Sequence, residues 1–247
     1  MTAPTQDDID AAVQAHLARS KARVAPVEVG GQRVWVKQKE RPPLRRRLTK
    51  GDSAKAFEAE RRALHTLGER GVPVPKILAE GPDFMALSDS GTSLQAMLRQ
   101  DGWPEAERRA AFEAAARELA AMHGKGLSHG RPAPRDICWQ EGRITFLDLE
   151  RYSPSRNTPK GHRNDLVIFL FNIFATLGRD CPEAQAAAAA YRAADPGGVW
   201  EAASALCARL RWVEPLSRPL RNRKDKKNLE FKAVPLTLAL FSQPPQG

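Results

Sequence analysis

The hydrophobic period changes along this chain, and that change restricts the fold more than any other feature. The runs VAPVEV (24–29) and QRVWVKQ (32–38) are rich in β-formers and are separated by Gly30-Gly31. Such a pair specifies a hairpin. Two more short strand candidates, KILAEG and FMALS, follow from Lys76. Elsewhere the spacing is helical: Asp7–Ala22, Ala54–Arg70, Ser93–Arg99, and an Ala-rich stretch over Pro104–His123 with Pro104 in its first turn. From Asn164 onward two or three helices are expected, broken near Pro196-Gly197-Gly198, and Ser153–His162 reads as a loop. The late exception is a second hairpin, Ile137–Trp139 with Ile144–Leu147 about Glu141-Gly142. Strands in the first third and helices in the last half predict an α+β fold. We expect one two-lobed domain over 1–247, with a small β-rich lobe at about 1–88 and a mainly helical lobe at about 92–247.

The longest apolar run, LVIFLFNIFATL from Leu166 to Leu177, has 12 residues. That is too short to cross a bilayer and predicts a buried core helix. The acidic N-terminus, MTAPTQDDIDAAVQ, does not read as a signal peptide. Three cysteines, Cys138, Cys181 and Cys207, lack metal-ligand spacing and argue for a reducing compartment.

The net charge of +10 is unevenly spread. Gly51–Gly130 holds 10 basic and 12 acidic residues, whereas Arg33–Lys50 holds 8 basic and one acidic, and Arg211–Lys232 holds 8 basic and 3 acidic. Two basic clusters of this kind attract phosphates or anionic lipid headgroups. The alternative reading is an ordinary solubilising surface. A nucleic-acid role is disfavoured, because aromatics are 6% of the chain and no stacking series accompanies the basic runs.

Several residues fall in an informative order. Val34-Trp35-Val36-Lys37 is a strand ending in lysine, with Val34 and Val36 on one face and Trp35 and Lys37 on the other. Twenty-three residues later Glu60 lies on a helix whose Phe57, Ala63, Leu64 and Leu67 share a face; Glu58 is the competing carboxylate. The long helix ends in His123-Gly124, and Ser128-His129-Gly130-Arg131 follows. Asp136 and Asp148 bracket the second hairpin, 12 residues apart. Asp165 opens the apolar helix.

Taken together, these elements resemble the protein-kinase-like superfamily, nearest the bacterial lipopolysaccharide (Kdo/heptose) kinases, over roughly Val24–Leu177. The resemblance implies ATP and Mg²⁺ as cofactors and a lipid-linked sugar or similar small acceptor. It implies a cytoplasmic location, peripheral on the inner membrane. Lys37 would hold nucleotide phosphates, Glu60 would fix Lys37, and Trp35 would lie beside the adenine. Asp136 and Asp148 would bind metal, and Asp165 would anchor the catalytic loop containing His129.

Three departures stand out. Laid on the H-R-D-L-x-x-x-N pattern, the aspartate position is Arg131 and the asparagine position is Asp136. Arginine stays protonated and cannot act as a base, although it can stabilise charge on a transferring group. No glycine-rich loop precedes Lys37, so phosphate cover is expected from the basic run Arg41–Lys50. Trp35 stands where the resemblance calls for a small residue. Two readings stay open: an active phosphotransferase with Arg131, Asp136, Asp148 and His129 at the reaction centre, and a pseudokinase that binds nucleotide or a partner without turnover.

Overall fold

A computed structural model describes residues 4–39, 53–221 and 228–243. Helix α1 (Gln6–Arg19) starts with a capping box, in which Thr5 accepts from the Asp8 amide and Asp8 reaches back to Thr5. Strands β1 (Val24–Val29) and β2 (Gln32–Gln38) form the first hairpin. Its turn needs positive φ at both central residues, and Gly30 and Gly31 supply 57° and 79°. Helix α2 (Ser53–Glu69), β3 (Ile77–Gly81) and β4 (Phe84–Ser88) follow. The four strands make one antiparallel sheet in the order β1-β2-β4-β3.

Alternation along β2 buries Val34 and Val36 in a core with Ile9, Val13, Val29 and Ala86, so α1 packs on one sheet face. Each such valine stabilises the fold by about 1.5–3 kcal/mol. Trp35 and Lys37 point to the other face. On α2 the buried positions are Phe57, Glu60, Ala63, Leu64 and Leu67, one stripe at helical spacing. The helix ends at Gly71, φ 67°, with the Val72 amide donating back to the Leu67 carbonyl.

The chain divides into two compact units. The first is Met1–Ser90 with Asp148–Glu150, and the second is Gly91–Leu147 with Arg151–Gly247. In the second, β5 (Thr92–Ser93) joins β6 (Ile137–Gln140) and β7 (Arg143–Phe146) in a three-stranded sheet. Glu141 and Gly142, φ 48° and 84°, make its turn. Around it lie α3 (Leu94–Arg99), α4 (Glu105–Gly124), α5 (Pro159–Leu177), α6 (Pro182–Ala193), α7 (Val199–Arg209), α8 (Val213–Ser217) and α9 (Asn228–Leu240). Helix α4 packs on α6, where buried Glu183 accepts from Arg108 Nε at 2.7 Å. Helix α5 buries Leu166, Phe169, Leu170, Ile173 and Phe174. No helix among the described residues is long and apolar enough to cross a membrane.

The α+β expectation holds, with three local corrections. Helix α5 begins at Pro159, not at Asn164, because Thr158 caps it by accepting from the Gly161 amide and Pro159 suits its first position. Pro104 is the N-cap of α4 rather than a member of its first turn. Beyond Thr158 the described residues form five helices, not two or three, since Pro182 starts a new one and Leu210–Trp212 turns the chain again.

Candidate active site

Lys37 sits near the end of β2, opposite Met85 of β4. Its Nζ donates to Glu60 Oε2 in an ion pair whose side chains are only 14% and 8% exposed. Of the two glutamates that α2 offers, Glu60 lies on the buried stripe. Glu58 instead faces Lys39 at 3.7 Å and Arg61 at 3.6 Å. Burying two charges is unfavourable unless they are paired, so the position of Lys37 depends on Glu60. Trp35 Nε1 donates to Asp89 Oδ1 at 2.7 Å, which fixes the indole plane.

Asp148 has φ 55°, one of two non-glycine residues with positive φ among those described. The other, Glu141, is explained by its hairpin turn. Asp148 lies two residues past β7 and leads directly into a 3₁₀ turn, Leu149–Arg151. Such backbone strain concentrates at sites that must aim a side chain.

In the second unit the loop after α4 is held by side chains from distant positions. Asp165, 2% exposed on α5, accepts from the His129 amide at 2.6 Å and from the Gly130 amide at 3.0 and 3.2 Å. Gly130 has φ 96°, and a Cβ there would lie 2.6 Å from the Arg151 carbonyl oxygen, so only glycine fits. Arg156 donates to the Gly130 carbonyl at 3.2 Å, and Asn157 accepts from the Ser128 amide at 2.9 Å. The His129 ring is fully buried, edge-on to Phe146 at 5.5 Å. Its Nδ1 accepts from the Arg131 amide at 3.4 Å, so Arg131 follows directly from the fixed part of the loop.

A second buried group lies under this loop. His123 Nδ1 meets the Tyr191 hydroxyl at 2.6 Å, its Nε2 lies 3.6 Å from Asp165 Oδ2, and its ring stacks on His162 at 4.7 Å. Burial pushes the Tyr191 phenol well above its ordinary range, so it stays protonated. Burial also lowers the His162 pKa; the neighbouring His123 adds to this and Asp165 opposes it. Asp136 closes a short 3₁₀ turn, Pro134–Asp136, and its carbonyl accepts from the Leu147 amide at 2.7 Å across the base of the β6–β7 hairpin. Its carboxylate accepts from Arg135 Nε at 3.1 Å.

The structure therefore joins Lys37 with Glu60, and Asp165 with His129 and Gly130. It shows no group of three or more His, Cys, Asp or Glu placed to hold a metal among the described residues. The basic run Arg41–Lys50, and the part of the second basic cluster at 222–227, lie outside the described residues. Arg156, Asn157, His162 and Tyr191 support the loop without having been singled out from sequence. Only Thr158-Pro159, a helix-start signal, pointed to where this support begins.

The profile of the Lipopolysaccharide kinase (Kdo/WaaP) family matches residues 16–191. The chain belongs to this family. The matched stretch runs to Tyr191 and contains every candidate residue above, while α7, α8 and α9 follow it. An uncharacterised protein of Haemophilus influenzae is 34% identical to this Kdo/WaaP family member over 147 residues. That match covers 60% of this chain and 61% of the relative, about three-fifths of its length.

Proposed function

We propose that the protein is an ATP-dependent phosphotransferase acting on a sugar hydroxyl of lipopolysaccharide core or a similar small acceptor. The observation that carries this reading is the buried Lys37–Glu60 pair at the end of β2. A buried lysine held by a helix glutamate is the part of kinase machinery that positions nucleotide phosphates. Trp35, fixed by Asp89, lies on the same sheet face and would shape the adenine side of the site.

Asp136 and Asp148 would hold Mg²⁺. Two carboxylates are hard oxygen donors, and Mg²⁺ characteristically takes one or two carboxylates together with substrate phosphates. When bound, the ion neutralises charge on the phosphates. Its residues here fit that role by chemistry, and the left-handed backbone at Asp148 supports it. Phosphoryl transfer depends mainly on positioning and charge neutralisation, so loss of a strong base at position 131 is tolerable. Arg131 stays protonated and would stabilise negative charge on the transferring group. Asp165 and the buried His129 ring fix the backbone from which Arg131 projects. The protein would work in the cytoplasm, peripherally at the anionic inner membrane surface.

Transfer of label from γ-labelled ATP to purified lipopolysaccharide core tests this reading. Label on a sugar hydroxyl, lost in Asp148→Asn, is the expected outcome. A second reading, a pseudokinase, is favoured by Arg131 at the aspartate position. Nucleotide binding with no transfer to any core sugar would support that reading instead.

A further inference from the structure

The segment leaving α7 exposes an unusual set of side chains. Four large hydrophobic residues are exposed among those described: Val24, Leu210, Trp212 and Leu216. Three of them fall in the short stretch between α7 and the end of α8. Trp212 is 64% exposed and Leu216 59%. An isolated exposed leucine means little, but a tryptophan and two leucines grouped together are a surface that avoids water.

Their outward position is built, not frayed. The Val213 amide donates to the Leu210 carbonyl at 2.9 Å and the Glu214 amide to the Arg211 carbonyl at 3.1 Å. Ser217 is buried, and its hydroxyl donates to the Glu214 carbonyl at 2.7 Å. Arg221 Nη2 donates to Ser217 Oγ at 2.9 Å and to the Glu214 carbonyl at 3.2 Å. These bonds fix the backbone that carries Trp212 and Leu216, both exposed.

The charge around the apolar group has one dominant sign. Arg209–Arg221 contains four arginines and one glutamate, a net of +3 (4 − 1). Glu214 faces Arg221 at 3.6 Å and Arg218 at 3.9 Å. Arg209 and Arg211 have no carboxylate within ion-pair distance among the described residues. They flank Leu210 and Trp212 directly in sequence.

We infer that this segment is a docking surface for anionic phospholipid, with Trp212, Leu210 and Leu216 entering the headgroup boundary and Arg209, Arg211 and Arg218 meeting lipid phosphates. Tryptophan prefers the level of the headgroups, and arginine stems run along apolar surface while their guanidinium groups stay in the polar layer. An apolar group alone would suit another protein equally well. The arginine excess matches an anionic leaflet, to which each basic residue near the surface contributes attraction. The segment follows the family-matched residues in sequence. The inference deepens the peripheral membrane location proposed above, and it rests on that reading only for the choice of lipid over protein.

The full chain, without nucleotide, should be floated with vesicles of phosphatidylcholine alone and of equal parts phosphatidylcholine and phosphatidylglycerol. Binding to the anionic vesicles only, weakening with salt, is expected. Arg209→Gln/Arg211→Gln should lower the partition by about 25-fold, at roughly fivefold per arginine. Trp212→Ala/Leu216→Ala should lower it by about tenfold or more. Both variants should melt as the wild type does, because the replaced side chains are exposed. Equal binding to neutral vesicles, or wild-type partition in both variants, would overturn the inference. So would absence of vesicle binding together with a dimer that Trp212→Ala/Leu216→Ala dissociates, which would assign the surface to a second copy of the chain. Normal flotation in a protein that transfers no phosphate would overturn only the proposed activity, and the converse result only the docking surface.

Discussion

Asp165→Ala removes one side chain and leaves two buried amides, those of His129 and Gly130, without their acceptor. Each orphaned donor costs about 1–3 kcal/mol, more when the lost acceptor was charged. The expected loss is about 3–5 kcal/mol. At roughly 2–4 °C per kcal/mol for a chain of this size, the melting temperature should fall by about 10 °C. Asp165→Asn keeps one oxygen for one amide but turns an NH₂ group toward the other, so about half the loss is expected. Urea denaturation followed by circular dichroism reads both. An alanine variant within about 0.5 kcal/mol of wild type, the range of ordinary surface changes, would refute the claim that Asp165 holds the loop.

Lys37→Met should destabilise the fold by about 2–4 kcal/mol, because Glu60 then stays buried without its cation. Adding Glu60→Gln should restore most of that loss in urea denaturation, and a double variant no more stable than the single one would contradict the pairing. For His162 the buried ring favours the neutral form, so its folded pKa lies below the ordinary value of about 6.5. The unfolded chain therefore binds more protons there, and stability falls as pH drops through and below that value. His162→Gln should flatten the loss between neutral and mildly acid pH, and an unchanged slope would count against it. Burial pushes the Cys181 and Cys207 thiols up to about 11. At mildly alkaline pH they should resist a thiol reagent in the native protein and react in denaturant; rapid native reaction of both would contradict their burial.

The first hairpin was legible because β-branched residues and Gly30-Gly31 point to the same conformation. Glu60 was legible in part: its spacing from Phe57, Ala63 and Leu67 puts it on the buried stripe, but nothing in the sequence ruled out Glu58 until their neighbours were known. Asp165 stood out as a carboxylate at the mouth of an apolar helix. The supports from Arg156, Asn157 and Tyr191 were not legible, since each reaches the loop, or His123 beneath it, across 26 to 68 residues of chain. The missed start of α5 had a local cause. Thr158-Pro159 is a strong cap signal, but the polar residues around it read equally well as loop. The strain at Asp148 depends on a backbone angle that no residue pattern reveals.

In the proposed nucleotide site Lys37 would meet phosphate and Asp148 would bind Mg²⁺. The most direct test is the melting temperature during titration with ATP, with and without Mg²⁺, in wild type and Asp148→Ala. A ligand that binds only the folded state raises its stability, by about 2.7 kcal/mol at a hundredfold excess over Kd. The expected result is a rise that requires Mg²⁺ and disappears in Asp148→Ala. No rise at millimolar ATP, or an equal rise in the variant, would contradict it.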